Sequence, residues 1–202
     1  MRHEVYTVYL MADTTRDRIF AAARALFDKN GMDGLSMRRL AAQVGVTPMA
    51  IYKHFPDKAA LVDALMLDGF AHWEARVRAI RRKEPLAWLK ALMEEILDFA
   101  LSDPHRFEAA FLLPAAKARR YPVDFAEGRS PAVNLAYQRI RQAQAEGKLD
   151  ATPAFDMVLT LSGLAQGLLT MHRAGRFVSE AEFRKAYRRI LRHAFATYET
   201  AP

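Results

Sequence analysis

The chain has 202 residues, of which 51% are hydrophobic and 26% are charged, so it can bury the core of one large domain or two small ones. It contains no cysteine, which excludes a disulfide scaffold, a thiolate zinc site and a cysteine nucleophile and favours a cytoplasmic protein. The 30 Lys and Arg against 23 Asp and Glu give a net charge of +7, which modestly favours a polyanionic partner such as nucleic acid.

The amino terminus does not have the pattern of a targeting segment. Its apolar stretch from Val5 to Ala12 is short and leads directly into Asp13, whereas a secretory signal needs a longer apolar region. Residues 1–12 are therefore predicted to be either an N-terminal arm or an extension that precedes a true start at Met11. No uninterrupted apolar run in the sequence approaches the roughly 18 residues of a membrane span, so we expect no membrane partner.

Apolar residues recur at helical spacing along the chain, which predicts an all-α protein of about nine helices. The first helix begins after Thr14 and ends near Gly31. Two short helices follow, one from residue 36 to about residue 43 and one starting at Thr47, with a turn at Gly45 between them. Two short helices that meet at a glycine turn and rest on a longer helix form a helix-turn-helix, which we predict for residues 13–60.

The remainder of the chain is predicted to be a helical bundle over residues 61–202. A long helix from Asp57 to about Arg82 joins this bundle to the first domain. Residues 119–131 contain two prolines and a glycine and are predicted to form a loop. The other five helices begin at or near Pro85, Pro104, Pro131, Pro153 and Ser179, since proline and serine are favoured at helix starts.

Residues 31–66 read GMDGLSMRRLAAQVGVTPMAIYKHFPDKAALVDALM. They contain in order, and without a gap, a Gly-x-x-Gly-Leu-Ser stretch, a Leu-Ala-x-x-Val-Gly-Val turn and an Ile-Tyr-x-His-Phe-x-x-Lys-x-x-Leu stretch. In these motifs the chain resembles the DNA-binding domain of the TetR family of bacterial one-component regulators. The resemblance implies a homodimeric repressor that binds a palindromic DNA operator and is released by a small-molecule effector. The alternatives are an activator of the same family and a helical interaction module that does not bind DNA specifically.

The resemblance implies that several side chains hold DNA phosphates. These are Tyr52, His54 and Lys58, and for Tyr52 and His54 the alternative is a packing role. Lys58 lies in the first turn of the next helix, where free backbone N–H groups also favour an anion. Phe55 matches the buried aromatic residue of the family and is assigned to the core.

Base readout is implied for the second short helix, with one contribution from the first. The sequence departs from the common family pattern at Met49, where a small residue is usual. Pro48 and Met49 offer no hydrogen-bonding side-chain group, so they can make only apolar contacts, for instance with thymine methyl groups. Directional readout then depends on Arg38 and Lys53. Arg38 can pair with guanine, and the alternative is that it binds phosphate or stays in solvent. The base-reading candidates are Thr47, Pro48, Met49, Lys53 and Arg38.

The second half of the chain is rich in aromatic and methionine side chains, which suit an apolar ligand pocket but also an ordinary core. The stretches FALSDPHRFEAAF and LAQGLLTMHRAGRF resemble one branch of the family. Gln166 stands where that branch usually has histidine, so pocket residues are not carried over. A buried amide needs a partner, and Gln166 is predicted to bond a neighbour, a water molecule or a ligand. The pocket candidates are Trp88, Met93, Phe99, Phe107, Phe111, Tyr137, Met157 and Gln166.

The last two long helices are predicted to form a four-helix bundle between two subunits. Their apolar stripes are wider than one subunit is expected to cover. The residues assigned to the dimer interface are Phe183, Tyr187, Ile190, Ala194 and Tyr198, with parts of 159–169.

Enzymatic function is not predicted. The sequence has no HExxH motif, no phosphate-binding glycine loop and no GxSxG motif. None of its six histidines is paired with another at i, i+4. We therefore expect no catalytic residue, no metal ligand and no cofactor.

Overall fold

A computed structural model of the protein describes residues 14–200, and the predicted arm at 1–12 lies outside this range. The described residues form ten helices, and their only extended pairing is an isolated bridge between Leu149 and Glu199. The helices are α1 (Thr15–Gly34), α2 (Met37–Val44), α3 (Pro48–Tyr52), α4 (Lys58–Ala79), α5 (Pro85–Ser102), α6 (Pro104–Phe111), α7 (Val123–Ala126), α8 (Pro131–Ala145), α9 (Ala154–Arg173) and α10 (Glu180–Ala196). The all-α prediction is confirmed.

The helix beyond the predicted nine is α7, a single turn inside the predicted loop at 119–131. Its turn is held by Asp124, whose carboxylate accepts from the Arg120 backbone N–H and from the Arg129 guanidinium at 2.8 Å. These hydrogen bonds lower the pKa of Asp124, which keeps the carboxylate charged. These hydrogen bonds join residues four and five apart, and no apolar periodicity marks this helix in the sequence.

The helix starts follow the predicted caps. Thr14 and Asp17 form a reciprocal capping box at α1, and the side chains of Thr47, Asp57 and Ser179 accept N–H bonds at the starts of α3, α4 and α10. Gly31 interrupts α1 at a φ of +60°, and a further turn then continues to Gly34. The helix ends described here are therefore set by capping side chains and a glycine, which can be recognised in the sequence.

The buried side chains form two apolar cores, which α4 connects. Leu61 and Leu65 of α4 belong to the first core, with α1, α2 and α3, whereas Trp73 and Val77 belong to the second, with α5, α8, α9 and α10. The predicted boundary at residue 60 thus falls just inside a continuous helix. The buried members of the first core are Ile19, Ala23, Phe27, Leu35, Leu40, Ala41, Ile51, Phe55, Leu61, Leu65 and Ala109.

The predicted interface stripe on α10 is wrong for Phe183 and Tyr187. Phe183 and Tyr187 are fully buried within one chain, because α10 packs against α9 and reaches α5. The Tyr187 hydroxyl donates to the Met93 carbonyl at 2.7 Å, and burial raises the pKa of this phenol. The sequence pattern identified a buried face, but the subunit itself buries it.

Among residues 14–200, α9 is long and apolar enough to cross a membrane by length and composition alone. A core helix of a soluble fold passes the same test, and α9 has buried residues along its whole length, from Met157 through Ala165 to Leu169. Its opposite face exposes Leu159 and Met171. α9 is therefore a core helix with an apolar face left uncovered by its own chain.

Candidate functional site

The α2–turn–α3 unit is held by a left-handed glycine and by three buried side chains. Gly45 has a φ of +75°, a conformation that residues with a Cβ rarely adopt, and its N–H donates to the Ala41 carbonyl at 3.0 Å. Leu40, Ala41 and Ile51 are buried against α1 and the start of α4. This packing fixes the angle between the two short helices and leaves the outer face of α3 free.

Three predicted base-reading residues and the predicted phosphate-binding residue Tyr52 share that outer face, in α3 or directly after it. Pro48, Met49, Tyr52 and Lys53 follow helical spacing and are exposed, whereas Ile51 points into the core. Met49 is 69% exposed and Tyr52 is 43% exposed, which is unusual for side chains of this size. Both side chains are therefore accessible to a partner that contacts this face.

Arg38 and Thr47 differ in how free their polar groups are. Arg38 is exposed in the first turn of α2, and within residues 14–200 its guanidinium has no hydrogen-bond partner. The Thr47 hydroxyl accepts from the Ala50 N–H at 3.3 Å, so it caps α3 and keeps only its own proton for another partner. Arg38 is thus the freer of the two for directional contacts.

The predicted phosphate-binding residues lie around the α3–α4 turn. Lys58 is the first residue of α4, and its ammonium group donates to the Met32 carbonyl at 3.4 Å. His54 is half-buried beside Phe55, which is in the core as predicted. Sequence reasoning missed Arg16, whose guanidinium lies 4.8 Å from the centre of the Phe55 ring and adds a cation here.

A cavity of about 310 Å³ lies in the second core, between α4, α5, α6, α8, α9 and the segment 112–130. Three predicted pocket residues line it, namely Met93, Phe111 and Gln166. Its apolar wall also includes Met66, Phe70, Trp73, Leu89, Leu92, Ile96, Ile140, Phe155, Val158, Leu159 and Leu161. A mainly apolar space of this size is typical of a small-molecule site.

The other five predicted pocket residues lie outside the cavity wall. Phe99 and Phe107 are fully buried in the aromatic cluster behind Trp73 and Phe111. Met157 is buried in the core, Tyr137 stacks on Phe155 at 4.6 Å and Trp88 packs under Arg139. These five side chains pack against other protein groups and do not line the cavity. They are Trp88, Phe99, Phe107, Tyr137 and Met157.

Sequence reasoning missed the part of the cavity wall that comes from the predicted loop. Arg119, Tyr121 and Phe125 line the cavity from this segment, and Ser130 lines it at the start of α8. The segment is attached to α4 because the buried Asp63 carboxylate accepts from the Lys117 N–H at 3.1 Å. Two aromatic residues in a proline-containing loop were the available signal.

Neutral polar side chains without protein partners within residues 14–200 line the cavity, among them Gln166, Ser130 and the half-exposed Tyr121. The Gln166 amide and the Ser130 hydroxyl make no hydrogen bond to any group in the described part of the chain. Ser130 is buried, and Gln166 is half-buried in an otherwise apolar region of α9. Polar groups that line a cavity without protein partners can bond water or a ligand with matching polar atoms.

Helix α6 connects the cavity to the first core. Phe111 and Ala110 line the cavity, whereas Ala109 is buried in the first core. The Arg106 guanidinium donates to Asp68 of α4 at 3.3 Å, and Asp68 also pairs with Arg24 of α1 at 3.4 Å. This network joins α1, α4 and α6 at the junction of the two cores.

Over the described range 14–200, no group of three or more His, Asp or Glu side chains could hold a metal ion. The clustered charges at the junction form ion pairs, both within helices and between neighbouring ones. On α1, the Asp28 Oδ2 lies 3.7 Å from the Arg24 Nε. Burial raises the pKa of the Asp28 carboxyl.

Comparisons with known proteins match both the region of the α2–turn–α3 unit and the region of the cavity. The family model described as "Bacterial regulatory proteins, tetR family" matches residues 19–65, and the model described as "Tetracyclin repressor-like, C-terminal domain" matches residues 89–194. The HTH-type transcriptional regulator UidR of Escherichia coli strain K12 is 27% identical over 186 residues, 89% of this chain and 92% of that protein.

Two further matches cover most of the chain. The nucleoid occlusion factor SlmA of Sodalis glossinidius is 30% identical over 143 residues, 68% of this chain and 69% of that protein. The solved structure of a Rhodococcus sp. RHA1 protein of unknown function has a TM-score of 0.75 at 26% identity, over 96% of this chain and 100% of that one.

Proposed function

The chain belongs to the TetR family of bacterial transcriptional regulators and is a DNA-binding regulator, and from this premise we propose that it is a cytoplasmic repressor released from a palindromic operator by a small apolar effector. The observation that carries the proposal is the pairing of an exposed α2–α3 face with a partly apolar cavity, joined through α4 and α6. No catalytic role is assigned to it. An activator would use the same parts, and transcription of a reporter gene with and without the protein distinguishes the two.

The proposed response is a change in where α4 and α6 lie. An effector that fills the cavity presses on Phe111 of α6 and Phe70 of α4, and both helices reach the DNA-binding core. The two α3 helices of a dimer must lie about one helical turn of DNA apart, or a multiple of it, to enter successive major grooves. The effector weakens DNA binding only to the extent that it binds the other spacing more tightly.

The dimer is proposed to form through the uncovered face of α9 with part of α10. A Cβ placed at Gly163 or Gly167 would meet no atom within 4 Å in the single chain, so this face is open. Leu159 and Met171 lie exposed on the same helix. Two glycines four residues apart allow a second helix to approach closely, which supports a four-helix bundle of α9 and α10 from each subunit.

Arg38→Ala is expected to relax the sequence preference at one position of each half-site. Arginine that pairs with guanine contributes roughly 1–3 kcal/mol of discrimination, and Arg38 has a free guanidinium in the first turn of α2. Selection of binding sites from random DNA, done with the wild type and the variant, measures this preference.

The matched control for Arg38 is Tyr52→Phe, which removes one hydroxyl from the same surface. A phosphate contact positions the protein without reading sequence, so this variant should weaken binding to all sequences alike. An unchanged preference in Arg38→Ala would remove Arg38 from base readout.

Met49 is expected to contact a thymine methyl group. Replacing that thymine by deoxyuridine removes only the methyl, so affinity should fall at one position per half-site by about 1 kcal/mol, the order of one buried methyl group. The same replacement should have no effect on Met49→Ala, which lacks the contacting atoms. Equal sensitivity of wild type and Met49→Ala in operator titrations would contradict the contact.

A further inference from the structure

We propose that the effector is an amphipathic organic anion whose carboxylate pairs with Arg119 at the cavity wall, an inference that rests on the proposed ligand response. Arg119 is the one charged residue that lines the cavity in the described part of the chain. No carboxylate lines it there, so a cationic ligand would find no charged partner at the wall. Because the one charged residue of the described cavity wall is positive, the cavity favours an anionic ligand.

Contacts with α4 hold the Arg119 guanidinium in place and leave some of its N–H groups free to donate. Its Nη2 donates to Glu74 of α4 at 3.0 Å, and its plane lies 4.7 Å from the centre of the Phe70 ring. Within residues 14–200, its Nε and Nη1 have no hydrogen-bond partner. Nη2 carries a second hydrogen, which runs parallel to an N–H of either Nε or Nη1, and such a parallel pair can bind a carboxylate in a bidentate manner.

The pairing with Glu74 does not cancel the local positive charge. The second oxygen of the Glu74 carboxylate lies 3.7 Å from Arg78, so two cations share one anion. The Arg119 side chain is 24% exposed and that of Glu74 is 13% exposed, and solvent screens such a site less than an open surface. An anionic head group completes the charge balance, whereas a cationic one would add to the excess.

The rest of the cavity requires an apolar body. Phe70, Trp73 and Phe111 form one side, and Phe155 with Leu161 forms another. The Ser130 hydroxyl and the Gln166 amide have no partner within residues 14–200, and each can bond one further polar atom of the ligand. A free inorganic anion would leave the aromatic wall unfilled, so the ligand must combine a carboxylate with a hydrophobic tail or ring.

The experiment compares three probes of equal chain length, namely decanoate, decanol and decylamine. Calorimetry measures the Kd of each probe for the wild type, for Arg119→Gln and for the matched control Arg120→Gln, whose side chain lies outside the cavity wall. Decanoate should bind the wild type about tenfold more tightly than decanol, the fold-change expected from a hydrogen bond to a charged group. Arg119→Gln should remove this difference, and Arg120→Gln should keep it.

Decanol binding reports whether the cavity of a variant is intact, because it does not need Arg119. Arg119→Lys retains the charge but not the forked donors and should recover part of the decanoate preference. Decanol or decylamine that binds the wild type as tightly as decanoate would overturn the inference, as would a decanoate preference that persists in Arg119→Gln. A failure of all three probes to bind would also overturn it.

Displacement of DNA is measured separately with the same probes. Decanol that binds as well as decanoate and releases DNA would overturn the anion site and leave the proposed response standing. Decanoate that binds through Arg119 and leaves DNA bound would support the anion site and contradict the proposed response.

Discussion

Gly163→Glu should convert the protein from dimer to monomer and lower its operator affinity by about 10²–10⁴-fold, because two linked half-sites are no longer read together. A single chain is expected to tolerate the change, since Gly163 is exposed and a Cβ placed there meets no atom within 4 Å. In the proposed dimer the same carboxylate would be buried without a partner, which is strongly unfavourable. Light scattering reports the mass, and fluorescence anisotropy with an operator fragment reports the affinity.

The control for this variant is Ala71→Glu, which adds the same carboxylate to the exposed side of α4. It should remain a dimer with unchanged affinity. Ile190→Glu, the substitution that the sequence pattern suggests, is a weaker test because Ile190 is half-buried and packs against the core of its own chain. An intact Gly163→Glu dimer would place the interface on another surface.

Gly69→Ala should lower the free energy of unfolding by roughly 1–3 kcal/mol, the usual cost of overpacking. Helix propensity alone would predict a gain of about 1 kcal/mol from the same substitution. Packing decides the sign, because a Cβ at Gly69 would lie 2.9 Å from the Arg106 carbonyl oxygen and 3.0 Å from the Ala110 Cβ. α6 cannot yield by moving a flexible side chain, since the nearest atom belongs to its backbone.

Urea denaturation of Gly69→Ala and of the control Ala71→Val measures this effect. Ala71 is exposed on the same helix, so Ala71→Val should change stability by less than about 1 kcal/mol. In Gly69→Ala the separation of α4 and α6 should also reduce the effect of a cavity ligand on DNA binding. Equal stabilities of wild type and Gly69→Ala would show that this helix crossing is not tightly packed.

The DNA-binding half of the fold could be predicted because its determinants are local. Gly45 marks the turn, Thr47 and Asp57 cap the following helices, and Leu40 and Ile51 lie at spacings that fix the buried face. Each of these signals joins residues a few positions apart. The exposed Met49 followed from the same pattern, since it lies opposite Ile51.

The ligand cavity could be predicted only as a region. Periodicity indicates that Phe99, Phe107 and Met157 are buried, but not whether a protein side chain or an empty space lies beside them. Arg119 was missed because it lies in a segment without periodicity, and its position depends on long-range contacts with Glu74 and Phe70.

The proposed dimer face shows a related limit of prediction from sequence. The apolar stripe of α10 indicated burial of Phe183 and Tyr187 correctly, but a stripe does not say which chain covers it. Parts of 159–169 were also assigned to the interface, and the open space beside Gly163 and Gly167 shows which side of α9 its own chain leaves uncovered.

The most direct test of the account is the distance between the two DNA-binding domains of the dimer. The chain has no cysteine, so Ala25→Cys on the exposed side of α1 gives one spin label per subunit and one distance per dimer by pulsed electron paramagnetic resonance. The account predicts a narrow distribution with operator DNA, consistent with recognition helices about 34–36 Å apart or a multiple of that spacing. It further predicts a shifted distribution when a cavity ligand is added. The absence of a distance between labels, or a distribution that the ligand leaves unchanged, would contradict it.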